Sequence, residues 1–144
     1  MIRVVIDTSV FLRYLIRPSA AVRKLIEDAW VGGQIQLVSA PELIDELVGV
    51  LSRPRMNKYV EPVDGLALTD AVSMLADLLP SLEEVPSYTR DAKDDKFIAC
   101  AILGRAEYVI TFDNDILALD KLEGIRMVTP DDFLDCVSQD RNRG

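Results

Sequence analysis

The sequence predicts an α/β fold, a mainly parallel sheet covered by helices on both faces in a three-layer α/β/α sandwich. Three observations carry that expectation. Short apolar runs alternate along the chain with longer segments whose apolar residues recur at helical spacing. The 144 residues, 49% of them hydrophobic, suffice for one domain with a real core and are too few for two. No internal repeat, low-complexity tract or linker interrupts the alternation. Residues 1–137 are therefore expected to form one domain, with a polar tail over 138–144.

The elements follow in order. Ile2 to Ile6, broken only by Arg3, reads as a buried strand that ends abruptly in Asp7. An apolar helix follows, which Thr8 or Ser9 can cap as well as Asp7. Ala20 to Trp30 reads as a helix capped by Ser19 and stopped by Gly32-Gly33. Gln34 to Val38 is a second strand. Ser39-Ala40-Pro41-Glu42 fits a capping box, and Leu43, Ile44, Leu47, Val48 and Leu51 form the stripe of the helix behind it. Pro54 marks its end. Another helix carries Leu68, Ala71, Val72, Leu75, Leu78 and Leu79 in phase until Pro80. A short strand is predicted over Leu82 to Val85. Asp94 to Leu103 is helical and apolar on nearly every side, so it should lie deep. Glu107 to Thr111 is a strand, Phe112 to Asp115 a loop, and Ile125 to Val128 the last strand. Thr129-Pro130-Asp131-Asp132 caps a short final helix with Phe133, Leu134 and Val137.

Composition removes several functions. There is no histidine, so no Ser-His-Asp triad, Cys-His pair or imidazole zinc site can exist. Cys100 and Cys136 have no metal-type spacing and read as buried free thiols. No apolar run approaches a membrane span and no basic-then-apolar leader precedes the first strand, which predicts a cytoplasmic protein. Any acid, base or metal chemistry must come from carboxylates. Asp and Glu number 24 against 16 Lys and Arg, a net charge of −8. That balance argues against nucleic-acid binding unless the acids gather around metal ions that compensate them.

The acids lie where they can gather. Sites on open parallel sheets form outside the carboxyl ends of the strands. Asp7 ends the first strand and Asp113 follows the strand that ends at Thr111. Glu46 lies in the helix after the second strand, and Asp94 and Asp95 begin the helix that precedes the strand at Glu107. Four carboxylates brought together would repel unless a cation joins them, and hard oxygen ligands suit Mg²⁺ or Mn²⁺. Helical phase does not choose between Asp94 and Asp95, and Asp113 and Asp115 share one loop. Asp131 and Asp132 read as caps only.

The stretches VVIDTSVFL, SAPELIDELVGVL, DAKDDKFIACA and YVITFDNDIL together resemble the PIN domain, and within it the small toxin components of bacterial type II toxin–antitoxin systems. The similarity runs from about Val4 to Phe133. It implies the same sandwich and a ribonuclease site that uses one or two Mg²⁺ or Mn²⁺ ions. Carried over by motif, the four acids fall on Asp7, Glu46, Asp95 and Asp113, all implied as metal ligands and catalytic groups. The acid-x-x-Ile-Ala spacing selects Asp95, with Ile98 and Ala99 behind it. Where relatives often have Asn two residues after the first acid, this chain has Ser9. Thr111 is placed to support the site through its hydroxyl. The resemblance further implies RNA as substrate, 5′-phosphate and 3′-hydroxyl products, a protein antitoxin and a homodimer. Arg13, Arg17, Arg53, Arg55 and Lys58 are candidates to hold the RNA backbone, and Phe11, Leu15 and Ile16 to meet a protein partner. Two other enzyme classes fit worse. Haloacid-dehalogenase-type phosphatases need an acid where Ser9 stands, and response-regulator receivers need an acid on a central strand where Leu37 to Ala40 offers none. The competing reading is a PIN-fold protein-binding module with little or no nuclease activity.

Overall fold

In a computed structural model, the structure describes residues 1–143, with side chains through residue 139. The element order is β1 (Ile2–Ile6), α1 (Thr8–Ile16), α2 (Ala20–Arg23) running on as a π-helix (Lys24–Val31), β2 (Ile35–Ser39), α3 (Pro41–Leu51), a 3₁₀ turn (Pro54–Lys58), α4 (Pro62–Leu75), β3 (Asp77–Leu78), α5 (Asp95–Leu103), β4 (Tyr108–Ile110), α6 (Asn114–Leu117), β5 (Lys121–Leu122), β6 (Ile125–Val128) and α7 (Pro130–Arg143).

The strands form one sheet in the order β3-β2-β1-β4-β6-β5. All pairings are parallel except the edge hairpin between β5 and β6. Alternation along each strand divides its side chains between two cores, as the period of two requires. Val4, Ile6, Leu37, Tyr108, Ile110 and Val128 face one core, closed by α1, α2, the π-helix, α4 and α7. Val5, Val38, Val109 and Met127 face the other, closed by Phe97, Ile98, Cys100 and Ala101 of α5 and Ile116 of α6. This is the three-layer sandwich. It explains why strands buried on both faces read as continuous apolar runs and why α5 is apolar on nearly every side.

The caps at Ser19 and Thr129 form: Val22 donates its backbone N–H to Ser19 Oγ at 3.2 Å, and Asp132 donates to Thr129 Oγ1 at 3.2 Å. The capping box at Ser39 does not. Ser39 belongs to β2, and Ala40 is the residue at the helix N-terminus. Glu42 turns instead to the chain after β3, accepting from Ser81 Oγ at 2.7 Å and Leu82 N at 2.6 Å. Those bonds replace the predicted strand over Leu82 to Val85, where no ladder forms. The third strand lies earlier, at Asp77 and Leu78, within what reads as helix. Ala76 turns extended (φ −79°, ψ 151°), and the next two residues pair with Val38 and Ser39. Phe11, a candidate partner contact, is core and stacks edge-to-face on Trp30 with centroids 5.8 Å apart. Ile16, 42% exposed, keeps an open face. The final helix reaches Arg143, past the Ser138 where the sequence reads as a tail, and Gly144 lies outside the described residues.

Both thiols are free; Cys100 is buried, and burial pushes its thiol up to about 12. Cys136 is half-buried and accepts from Arg126 Nη1 at 3.3 Å. No described helix is long and apolar enough to cross a membrane.

Candidate active site

From β1 the sheet grows in two directions, to β2 on one side and β4 on the other. Such a reversal leaves a crevice at the carboxyl ends of the two central strands, because the following connections leave to opposite sides. Asp7 stands at the end of β1, and Thr111 to Asp113 follow β4. Backbone bonds fix both tips: Asp7 N donates to Ile110 O at 3.0 Å and Thr111 N to Val128 O at 2.9 Å.

Asp7 occupies the N-cap position of α1, yet its carboxylate caps no backbone N–H. Its Oδ2 accepts instead from Ser9 Oγ at 2.8 Å and from Thr111 Oγ1 at 2.6 Å. The same two hydroxyls accept from the next loop, Ser9 from Phe112 N at 3.2 Å and Thr111 from Asp113 N at 2.8 Å. Asp7 and Asp113 are thus tied through Thr111 as a rigid unit. Ser9 does here a positioning job that needs only a hydroxyl. Burial raises the Asp7 carboxyl above its ordinary range. The Thr111 and Ser9 bonds oppose that rise, and the nearby charges of Glu46 and Asp113 add to it.

The pair at the start of α5 divides its work. Asp94, 9% exposed, lies toward the site, and its Oδ2 is buried with no hydrogen-bond partner. One carboxylate oxygen from each of Asp94, Asp113 and Asp115 falls within 4.8 Å of the others. The Asp94 carboxyl is pushed up to about 7, first by burial and then by the charges of Asp113, Asp91, Asp7 and Asp115. Asp95 turns the other way. Its Oδ1 accepts from Tyr88 N at 3.0 Å and Thr89 N at 2.8 Å, with the Thr89 hydroxyl 2.9 Å away. Successive helix positions differ by about 100° in direction, which points the two adjacent acids apart. Asp113 also caps α6, accepting at Oδ1 from Asp115 N at 2.8 Å and Ile116 N at 3.3 Å.

Glu46 reaches the rim of the site from α3. Thr8 Oγ1 donates to its Oε2 at 2.5 Å, and Lys96 Nζ lies 2.7 Å from its Oε1. Of the four acids carried over by motif, the geometry brings Asp7, Glu46 and Asp113 toward one crevice and turns one carboxylate oxygen of Asp95 to the loop before α5. Asp94 and Asp115 join the crevice. Their sequence signal was present, in the doubled acid of DAKDDKF and the i, i+2 pair of FDND, but neither spacing said which acid faces in. Of the backbone-binding candidates, Arg13 donates its Nε to Arg17 O at 2.8 Å and so serves its own helix end. Among the described residues none of Arg13, Arg17, Arg53, Arg55 and Lys58 forms a salt bridge.

The donor set fits a hard divalent cation. It is all oxygen and converges on one crevice. It contains an orphaned buried carboxylate oxygen that a cation would satisfy, and its mutual repulsion is what a cation would remove.

Comparisons with known proteins agree with the fold. A family model described as PIN domain matches residues 3–115. VapBC-1 from nontypeable Haemophilus influenzae is similar in structure, with a TM-score of 0.58 and 10% identity, covering 90% of this chain and 99% of the other. VapBC2 from Rickettsia felis, solved bound to a DNA fragment from its promoter, gives a TM-score of 0.56 and 10% identity over 88% and 97% of the two chains. Among curated proteins, no match is found.

Proposed function

This chain belongs to the PIN domain family, and we propose that it is an endoribonuclease that hydrolyses RNA phosphodiester bonds with Mg²⁺ or Mn²⁺, one or two ions per site. The observation that carries this reading is the unpartnered buried oxygen of Asp94 among Asp7, Asp113 and Asp115. Evolution of a folded chain rarely leaves a buried acid unsatisfied, and a bound cation accounts for it.

In this reading Asp7, Asp94 and Asp113 are the ligands, with Asp115 beside them, and Glu46 completes the shell or orients water from the rim. A divalent ion, when bound, supplies an activated water and offsets charge at the departing 3′ oxygen. The chain's own groups do the rest. Thr111 and Ser9 lock the Asp7 carboxylate in one orientation. Thr8 fixes Glu46, and Lys96 keeps its charge compensated while the site is empty of substrate. Burial and the neighbouring acids push the Asp94 carboxyl up to about 7, so that near neutral pH a binding cation displaces a proton from it.

The wider role proposed is that of the toxin in a toxin–antitoxin pair, acting in the cytoplasm and held by a protein antitoxin. It is supported by the similarity to the two VapBC structures. The test is cleavage of a labelled single-stranded RNA with Mn²⁺ or Mg²⁺, with and without EDTA, beside Asp7→Asn prepared identically. Metal-dependent cutting by the wild type and silence of the variant support the nuclease. Equal cutting by both, or none by either, removes it, and the second result favours a protein-binding module on the same fold.

A further inference from the structure

One oxygen of the Asp95 carboxylate, Oδ1, accepts from the backbone of Tyr88 and Thr89, seven and six residues earlier. An acid at the first turn of a helix usually serves that helix; this one holds a separate strip of chain. Thr89 Oγ1 adds a second tie, 2.6 Å from Asp91 O and accepting from Asp91 N at 3.2 Å. The strip so held has a use. Tyr88, Thr89 and Arg90 form one wall of a cleft of about 470 Å³ whose other wall is Asp115, Ala118 and Leu119 of the α6 region. Asp115 is also one of the three acids whose oxygens converge within 4.8 Å. The cleft therefore borders the acid crevice at Asp115.

What sets it apart is a cation placed beside one of the converging acids. A phosphodiester approaching five carboxylates needs a positive group to hold the chain on either side of the scissile bond. Among the described residues Lys96 is engaged by Glu46 and Arg3 by Asp77. Arg90 is exposed, makes no salt bridge among the described residues, and lines the cleft across from Asp115. Tyr88, on the same wall, packs against the second core and so anchors that wall. A positive group that tracks the backbone is part of the equipment with which single strands are held.

We propose that this cleft is a subsite for the nucleotide adjoining the scissile phosphate of a single-stranded RNA, with Arg90 on the backbone phosphate, and that Asp95 is a positioning residue that fixes the Tyr88–Arg90 wall and binds no metal. The proposal deepens the nuclease reading and rests on it for the substrate class. It reverses the role that the acid-x-x-Ile-Ala motif implies for Asp95.

The experiment uses the full chain as wild type, Arg90→Ala, Asp95→Asn and Asp95→Ala. Three measurements are made: Mn²⁺ affinity by calorimetry without RNA, affinity for a labelled phosphorothioate-protected single-stranded oligonucleotide in saturating Mn²⁺ by anisotropy, and KM and kcat in saturating Mn²⁺. Arg90→Ala should weaken RNA binding about tenfold and make the slope of log affinity against log salt shallower by about 0.7, the value of one single-strand phosphate contact. Its KM should rise by a similar factor with kcat little changed. Asp95→Ala should raise KM likewise while Mn²⁺ affinity stays within about twofold of wild type, and Asp95→Asn should recover part of the loss, because an amide oxygen still accepts the two backbone N–H groups. Loss of Mn²⁺ binding in Asp95→Asn makes Asp95 a ligand and overturns the assignment. An unchanged RNA affinity and salt slope in Arg90→Ala, whose exposed side chain leaves folding intact, overturns the subsite. A wild type that binds no Mn²⁺ but loses RNA affinity in Arg90→Ala keeps the subsite and refutes the nuclease, so the two failures are distinct.

Discussion

Asp94→Asn separates what the acid costs the fold from what it contributes to the site. Burial and the charges of Asp113, Asp91, Asp7 and Asp115 push the Asp94 carboxyl up to about 7, from an ordinary value of 3.8. A gap of about three pH units corresponds to about 4 kcal/mol at 1.36 kcal/mol each. The sign follows from proton linkage. Below about pH 4 the group is protonated in both states and contributes nothing. Between about pH 4 and 7 the folded chain keeps a proton that the unfolded chain has lost, so stability falls as pH rises through that window and the full penalty stands above it. Asp7 titrates in the same direction, so the wild type should lose more than Asp94 alone accounts for. Asn keeps the size and removes the charge, and its amide can donate to the surrounding carboxylates. Urea unfolding in EDTA at about pH 5 and about pH 8 should show a steep loss in the wild type and a shallower one in Asp94→Asn. At the higher pH the variant should be more stable by about 2–4 kcal/mol. Added Mn²⁺ should raise the midpoint of the wild type and leave that of the variant unmoved. A variant with the wild-type pH dependence, or one less stable at pH 8, refutes the view that Asp94 is a buried charge waiting for a cation.

Three further outcomes follow from the same geometry. Thr111→Val removes the hydroxyl that donates to Asp7 and accepts from Asp113 N–H at a fully buried position; denaturant unfolding should show a loss of about 1–3 kcal/mol, and RNA cleavage should fall as Asp7 loses its orientation. Lys96→Met withdraws the ammonium that holds Glu46; calorimetry should show Mn²⁺ binding several-fold tighter, and weaker binding would mean that Lys96 organises the site instead of competing for it. Phe133→Ala empties a buried position that stacks edge-to-face on Tyr108 with centroids 5.1 Å apart; its unfolding free energy should drop by about 3–5 kcal/mol with the metal affinity of the folded protein unchanged.

What was legible in the sequence was whatever repeats over several residues. The strands at Val4, Leu37, Val109 and Met127 announce themselves because both faces are buried, and the helices because their stripes face those strands. Asp7 was legible because a polar end on such a strand has few structural uses, and the structure gives it none as a cap. The choices that escaped depend on single residues and distant partners. Whether Glu42 closes a capping box or reaches Ser81 and Leu82 is decided some forty residues away. The two-residue strand at Asp77 exists only because β2 has an open edge there. The β5–β6 hairpin turns at Glu123 and Gly124, with φ of 51° and 82°, a left-handed pair for which Glu-Gly is a weak cue. Asp94 and Asp95 are equal in composition and phase. What separates them is a loop at Tyr88 and Thr89 that offers one of them two backbone donors.

The central claim is that these acids form one divalent-metal site, and a calorimetric titration of Mn²⁺ into the metal-free chain at neutral pH, with Asp7→Asn and Asp94→Asn beside it, tests it most directly. The account predicts saturable binding by the wild type, with proton release as Asp94 gives up its proton, and loss of that binding in both variants. No saturable binding by the wild type, or equal binding by all three proteins, would contradict it.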